Sequence, residues 1–397
     1  LLFLTNLMNH NIKKNNYKVA LCNDIDVFDN NSLQNHNIGE KYYAMHGHLL
    51  FNYCKDNNIV IVSGDIALKN VSNGIWKIKD VLVVQELESA KHGKKLVQMG
   101  AIPLVLTGYE SAFIAFNFYR KINNIADKFI NVLTTKGNFK YLNQNNIKKA
   151  KEIYIPGIRY SQINKNYNLV KEEWENKKPL VIISANKHYD SSLIKIKDLF
   201  NYRSVKMHVK EYILKKISTV YKENYKLQLQ DKRFDLINFF AEKNYIDVYG
   251  KGWNNPLPKK WVFLSDKYKK IFKGYAESEE KTFNHYKFAL CIENFSQDSY
   301  ITEKIFRCFI HNVIPIYLGA PNIDEIIPPN TYIDYRHFSS NEDLYEYLED
   351  LSFESAREIR NNINKWLMSD KKKYHTYEYS AKYILDIIVK FINNNDI

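Results

Sequence analysis

Only four cysteines occur in 397 residues, Cys22, Cys54, Cys291 and Cys308. They are too few for a disulfide scaffold and show no C-x-x-C spacing, so they read as buried thiols and favour a reducing compartment. No apolar run reaches the roughly 20 residues that a membrane-spanning helix needs. The opening LLFLTNLM is too short for a signal-peptide core with its flanks. The chain begins on Leu, and a lost upstream anchor stays open. His10, His36, His46 and His48 crowd the N-terminal region without H-E-x-x-H or Cys/His ligand spacing, so they read as surface or core histidines. There is no internal repeat, no low-complexity domain, no basic-aromatic stripe and no nucleic-acid module.

What is present is a basic, ordinary globular composition: net charge +13, 45% hydrophobic and 25% charged residues in 47.0 kDa. The length suffices for two domains with separate cores. The charge favours anionic partners, either nucleotide phosphates or an anionic membrane surface touched peripherally, over nucleic acid; a solvated basic surface with no specific partner is the plain alternative. The 30 tyrosines, with frequent Asn, Lys and Ile, reflect genome composition rather than function.

In the first half, KVALC (18–22), NIVIVSG (58–64), DVLVVQ (80–85) and AIPLVLTG (101–108) are short apolar runs bounded by Gly, Asn or Asp, as expected of buried parallel strands. Residues 40–57, KHGKKLVQMG and ESAFIAFNFYRKINNIADKF read as helices between and after them. Residues 137–178 are polar and irregular, with a Pro156-Gly157 turn. The second half restarts at PLVIISAN (179–186) and continues through YIDVYGKGW (245–253). Stretches 341–365 and 376–392 read as helices. These patterns predict two α/β domains, 1–170 and 171–397, each doubly wound.

The segment YKFALCIENFSQDSYITEKIFRCFIHNVIPIYLGAPNIDEIIP (286–328) carries the chemistry. It reads as strand, polar loop, short helix and second strand. Glu293, Asn294, Tyr300, Glu303 and Lys304 gather at the carboxyl end of the first strand, where α/β sheets bind ligands beside helix N-termini. Ile305, Phe306, Phe309 and Ile310 form the apolar face of the helix, and Thr302 or Ser299 can cap it. Glu303 and Lys304 then project from a fixed platform, although a helix-start carboxylate paired with Arg307 four residues on would look the same. Gly250 and Gly252 allow a tight turn after a strand.

The ordered string Glu293-Asn294, Tyr300-Ile301-Thr302-Glu303-Lys304 and Pro315-Ile316-Tyr317-Leu318-Gly319-Ala320-Pro321 resembles the signature of glycosyltransferase family 10, the α-1,3/1,4-fucosyltransferases. The resemblance is clear over about 230–340, weaker over 80–190 and slight in the first seventy residues. The paired cysteines of the family's animal members are missing here. The resemblance implies a GT-B fold, two facing Rossmann-like domains, with the sugar nucleotide held by the C-terminal half. It implies an inverting transfer of L-fucose from GDP-fucose to a glycan hydroxyl. Lys304 and Arg233, the latter in KRFDLINFFAEKNYIDVYGKGW next to Lys232, would stabilise the leaving diphosphate. Tyr300, Glu293 and Asn294 would line the nucleotide and fucose pocket, with Asn186, Lys187 and Gly250 beside it.

Gly108-Tyr109-Glu110-Ser111 resembles the family's E-S-P element, with Ala112 in place of Pro, and so nominates Glu110 as general base; Glu86 and Glu88 are its rivals. Glu303 completes the catalytic candidates. No metal is strictly required, and stimulation by Mn²⁺ is compatible with the scheme. Asp24-Ile25-Asp26 spells D-x-D but reads as a strand-end turn. His337 stands where the family commonly has Asp. The helix at 382–392, following Lys371, Lys372 and Lys373, reads as packing against the fold rather than lying on a membrane. The expected acceptor is an oligosaccharide or glycolipid, and the expected location is the cytoplasm, with a peripheral contact at the inner face of the membrane as an addition. The alternatives are a GT-B transferase for another sugar nucleotide and a catalytically silent glycan- or nucleotide-binding protein.

Overall fold

The computed structural model describes residues 16–23, 26–34, 45–86, 91–112, 114–163, 168–186, 218–253 and 270–395, without the side chains of 26–28 and 33. The chain divides into two units, one of residues 1–110, 114–160 and 373–397, the other of 111–113 and 161–372.

The first unit is built on six parallel strands: β1 (Lys18–Cys22), β2 (Val60–Ser63), β3 (Val81–Glu86), β4 (Ile102–Gly108), β5 (Asn131–Thr134) and β6 (Ala150–Glu152). Their order in the sheet is β2-β1-β3-β4-β5-β6, all neighbours parallel. Helices α1 (Met45–Asp56), α2 (Gly64–Ser72) and α3 (Lys91–Met99) connect the early strands. All six residues of β3 are buried, as expected of a central strand covered on both faces. The strand order reverses between β1 and β3, so the loops after these strands meet at the place where open α/β sheets bind ligands.

The second unit repeats the logic with β7 (Lys178–Ile183), β8 (Ile246–Tyr249), β9 (Tyr286–Ile292), β10 (Ile314–Leu318) and β11 (Ile333–Asp334), ordered β11-β10-β9-β7-β8 and parallel throughout. Its order reverses between β7 and β9. Helices α4 (Gln230–Glu242), α5 (Glu303–Ile310), α6 (Asn341–Asp350) and α7 (Phe353–Met368) belong to it. Ser340 and Ser352 start the last two by accepting a hydrogen bond from the backbone N–H three residues on, which satisfies one otherwise orphaned donor in each.

The last helix, α8 (Tyr377–Asn395), returns to the first unit. Ala381, Ile384, Leu385, Ile388, Val389 and Ile392 recur at helical spacing and are buried in one core with Leu50 and Cys54 of α1. Each fully buried aliphatic side chain contributes about 1.5–3 kcal/mol, so this stripe is committed to the fold and not to a membrane surface. Two sequence expectations change. The boundary falls near residue 160 rather than 170, and the terminal helix belongs to the first unit rather than the second. The expected strands at 18–22, 58–64, 80–85, 101–108 and 179–186 are present; β5, β6 and β11 were not expected. All four cysteines are free and buried. Among the described residues no helix is long and apolar enough to cross a membrane.

Candidate active site

The segment 286–328 folds as expected into β9, a loop, α5 and β10, with Phe288 to Ile292 registered against Ile314 to Leu318. The apolar face of α5 fixes its position: Ile305, Phe306 and Phe309 are fully buried, and the ring of Phe306 stacks on Trp366 of α7 at 5.7 Å. Arg360, also fully buried, donates from Nη2 to the carbonyl of Phe309 at 2.8 Å. A cation there complements the negative end of the helix.

Glu293 lies in front of the opposite, positive end. It is completely buried. Its Oε1 accepts from the backbone N–H of Thr302 at 2.7 Å, its Oε2 from the Thr302 hydroxyl at 2.8 Å, and its Oε2 also from Lys304 Nζ at 2.8 Å. The expected side-chain cap by Thr302 is therefore not made. The hydroxyl turns to Glu293, and the carboxylate takes over the role of satisfying the helix start. The carboxylate of Glu293 thus organises the loop that leads into α5.

Lys304 is fixed by this carboxylate. Burial alone would lower the pKa of its ammonium, but Glu293 and Glu303 outweigh burial and hold it above the ordinary lysine value. Glu303 behaves conversely: burial would raise its pKa, while Lys304 and Arg307 outweigh it and hold it below the ordinary carboxylate value. Arg307 reaches Glu303 at 3.8 Å and Glu279 at 2.8 Å. A cavity of about 20 Å³ lies among Ser184, Ile292, Lys304 and Arg307, a volume suited to a water molecule.

Arg233 departs from expectation. It is 1% exposed, and Nη2 donates to the carbonyls of Ile292 and Glu293 and to Asn294 Oδ1 at 2.8, 3.1 and 3.1 Å. A guanidinium so placed holds the carboxyl end of β9. Asn294 is thereby a partner of Arg233, and Tyr300 is buried at 3% exposure. Ser299, with φ of 60°, turns the loop and donates its N–H to Asn322 at 2.8 Å.

Sequence reasoning left Gly319 unexplained within its motif. A Cβ there would lie 2.5 Å from Glu293 Cγ and 2.3 Å from Tyr317 Oη, so glycine lets the end of β10 close over the buried carboxylate. Across the sheet, Gly250 has φ of 133° and a Cβ on it would meet the Ser184 carbonyl oxygen at 2.1 Å. The loops after β7 and β8 are laced together, with Asn186 donating from its backbone to Lys251 and from Nδ2 to Gly252. Lys187 lies outside the described residues. The structure thus brings Glu293, Asn294, Lys304 and Arg233 together and puts Asn186 and Gly250 at the same carboxyl edge of the second sheet.

In the first unit Glu110 follows β4 and is half-buried. Its peptide is held: Tyr119 Oη lies 3.0 Å from the Glu110 carbonyl oxygen, and Asn138 Nδ2 donates to that hydroxyl at 2.6 Å. Glu86, its rival, ends β3 at the point where the strand order reverses. Glu86 accepts from Asn23 and is ion-paired with His46. Burial would lower the His46 pKa, but Glu86 outweighs it and raises it. His48 meets Asn52 at 3.1 Å, and His337 is exposed. Glu88, Asp24, His10 and His36 lie outside the described residues, and of Asp26 only the backbone is described.

Residues 213–382 match the family model for glycosyltransferase family 10 (fucosyltransferase) C-term. This part of the chain belongs to glycosyltransferase family 10. The family region runs from before α4 into α8 and so contains Arg233, Glu293, Glu303 and Lys304. The chain is 43% identical over 68 residues to an alpha-(1,4)-fucosyltransferase of Arabidopsis thaliana, covering 17% of each. It is 32% identical over 115 residues to a 3-galactosyl-N-acetylglucosaminide 4-alpha-L-fucosyltransferase of Homo sapiens, covering 28% of this chain and 27% of the relative. These matches therefore span about a quarter or less of the relatives' length. A crystal structure of an alpha1,3-fucosyltransferase with GDP superposes on 97% of this chain and 93% of its own, with a TM-score of 0.48 and 12% identity.

Proposed function

We propose that this protein is an inverting fucosyltransferase that moves L-fucose from GDP-fucose to a hydroxyl of a glycan, forming an α-1,3 or α-1,4 linkage. The observation that carries this reading is the family 10 region itself, whose E-N and Y-I-T-E-K motifs come together at the carboxyl end of β9. Among the relatives, those named above are fucosyltransferases.

In this reading Lys304 supplies the positive charge that the departing diphosphate needs, because its carboxylate neighbours keep it protonated at neutral pH. A preset cation costs no reorganisation as charge develops, which is why such groups lower barriers. Glu303 orients the sugar beside it. Arg233 acts indirectly, by holding the β9 end and Asn294 in place. Glu110, carried by the first unit, takes the proton from the acceptor hydroxyl as the new bond forms. Leaving-group stabilisation by lysine makes a divalent ion dispensable, with Mn²⁺ at most stimulatory. The acceptor is an oligosaccharide or glycolipid.

The test is a hydrolysis and transfer panel of sugar nucleotides with the purified protein. GDP-fucose should be turned over in preference to UDP- and CDP-sugars, and calorimetry should rank GDP above UDP and CDP at matched salt. Tighter binding of UDP than of GDP would replace this reading with that of a transferase for another sugar nucleotide.

A further inference from the structure

Two of the four cysteines face each other in the second unit. Cys291 is the penultimate residue of β9, and Cys308 lies near the end of α5. Both are buried and free, and their Sγ atoms lie 3.2 Å apart. The loop after β9 folds α5 back onto the strand, so residues 17 apart in sequence come into contact. Cys291 Sγ also donates to the carbonyl oxygen of Lys304 at 3.6 Å. Its hydrogen is used there, so Cys308 is the donor in the sulfur–sulfur contact. Lys304 and Cys308, four residues apart, share one face of the helix. The pair therefore sits one turn from the lysine proposed to meet the diphosphate.

A separation of 3.2 Å is about 1 Å longer than a disulfide bond. The two sulfurs belong to different elements, so a small shift of α5 against β9 closes the gap. Both cysteines line the cavity of about 20 Å³ beside Ser184, which gives a small molecule a route to the sulfurs. Burial and the Cys291 sulfur hold the Cys308 thiol well above its ordinary pKa. A protonated thiol reacts slowly, so the pair persists as a dithiol until an oxidant is supplied.

We propose that Cys291 and Cys308 are an oxidation site, converted by hydrogen peroxide to a disulfide that ties α5 to β9 and weakens the site built on them. One thiol takes an oxygen from the peroxide, giving a sulfenic acid and water. The other thiol attacks that sulfur, the S–S bond forms, and the hydroxyl leaves as a second water. The two thiols lose two electrons and the peroxide gains them. The bond removes the S–H that Lys304 now receives at its carbonyl and draws the helix start out of place. That this matters for a nucleotide rests on the function proposed above; the disulfide itself does not.

The test treats the folded protein with hydrogen peroxide, alkylates the remaining thiols in denaturant and maps the peptides by mass spectrometry. A peptide joined through Cys291 and Cys308 should appear, with Cys22 and Cys54 still alkylated, and dithiothreitol should reverse it. Calorimetry on the same samples should show GDP affinity reduced by about tenfold or more after oxidation, the scale of a lost charge-assisted contact. Cys308→Ala should keep its GDP affinity through the same treatment, which separates the pair from methionine oxidation. Cys291 and Cys308 still alkylated, oxidised singly without the link, or paired at random with Cys22 and Cys54 would overturn the proposal, and the map of the unaltered protein decides this even if the variant fails to fold. A fully formed link with unchanged GDP affinity would overturn its effect on the site. Reduced protein that binds no GDP would count against the proposed function, while the peptide map would still decide the disulfide.

Discussion

Lys304 Nζ lies 2.8 Å from Oε2 of Glu293, whose side chain is completely buried. The two are joined a second time through Thr302, whose hydroxyl accepts from Lys304 and donates to Glu293. The charge proposed to meet the diphosphate is thus also the charge that makes a buried carboxylate tolerable. Breaking one partner of such a pair costs about 3–5 kcal/mol, because the other is left buried and uncompensated. Lys304→Ala should therefore lower stability and weaken GDP binding together, the latter by about 1.5–3 kcal/mol. Lys304→Ala/Glu293→Gln should recover most of the stability and none of the GDP affinity. Denaturant unfolding and calorimetry on the same preparations separate the two effects; recovery of both would leave Lys304 with a structural role alone.

Gly319→Ala tests how closely β10 covers Glu293. The added methyl would sit 2.5 Å from Glu293 Cγ and 2.3 Å from Tyr317 Oη. Neither neighbour can give freely, since Tyr317 Oη accepts from the Ala320 N–H at 2.9 Å and Glu293 is held by Thr302 and Lys304. Overpacking of this kind costs about 1–3 kcal/mol. The measured midpoint in urea should fall accordingly, and GDP affinity should fall further than the change in stability explains, because the displaced carboxylate carries Lys304 with it.

Much of this was legible in the sequence, for reasons that differ from element to element. The β9–α5–β10 unit announced itself because its strands are apolar runs of the right length and its helix buries Ile305, Phe306 and Phe309 at helical spacing. β5 and β6 escaped notice because Asn131–Thr134 is largely buried but only four residues long, with polar residues at both ends, and Ala150–Glu152 is a three-residue edge strand with two exposed residues, so neither offers an apolar run of strand length. The apolar stripe of α8 was visible, but periodicity says that a face is buried and not which sheet buries it. The same limit applies to Arg233. A motif places an arginine near a site, while only coordinates reveal that its guanidinium is committed to the carbonyls of Ile292 and Glu293. The motif likewise puts Glu293 at the carboxyl end of β9, while only its burial reveals that the carboxylate faces Thr302 and Lys304.

The His46–Glu86 pair predicts a pH dependence. Glu86 raises the His46 pKa above its unfolded value despite burial. The sign follows: the folded state holds the proton more tightly, so the contribution is fully present below the unfolded value of about 6.5 and is lost as pH rises through the folded value. Thermal stability of the protein should decline on the alkaline side of that window. In His46→Gln this part of the decline should flatten, as followed by melting temperature against pH. An unchanged profile would mean that the pair does not titrate with folding.

Glu110→Gln separates the proposed base from the donor contacts. Glu110 belongs to the first unit, while Glu293, Glu303 and Lys304 belong to the second. A base contributes when the acceptor proton moves in the transition state, not when the donor binds. Glu110→Gln should thus leave GDP affinity nearly unchanged and lower kcat by about 10²-fold or more. The ties to Tyr119 and Asn138 are made by the Glu110 carbonyl and survive the substitution, and an unfolding midpoint on the same preparation lets turnover be expressed per folded molecule. Glu86→Gln instead removes the partner of buried His46 and should destabilise the protein, so its turnover must be expressed per folded molecule too. If Glu110→Gln keeps normal turnover while Glu86→Gln, corrected in this way, does not, the base sits at the carboxyl end of β3, where the strand order of the first sheet reverses. If neither variant lowers kcat, the proton is taken by another group, and the assignment of the Gly108-Tyr109-Glu110-Ser111 turn falls.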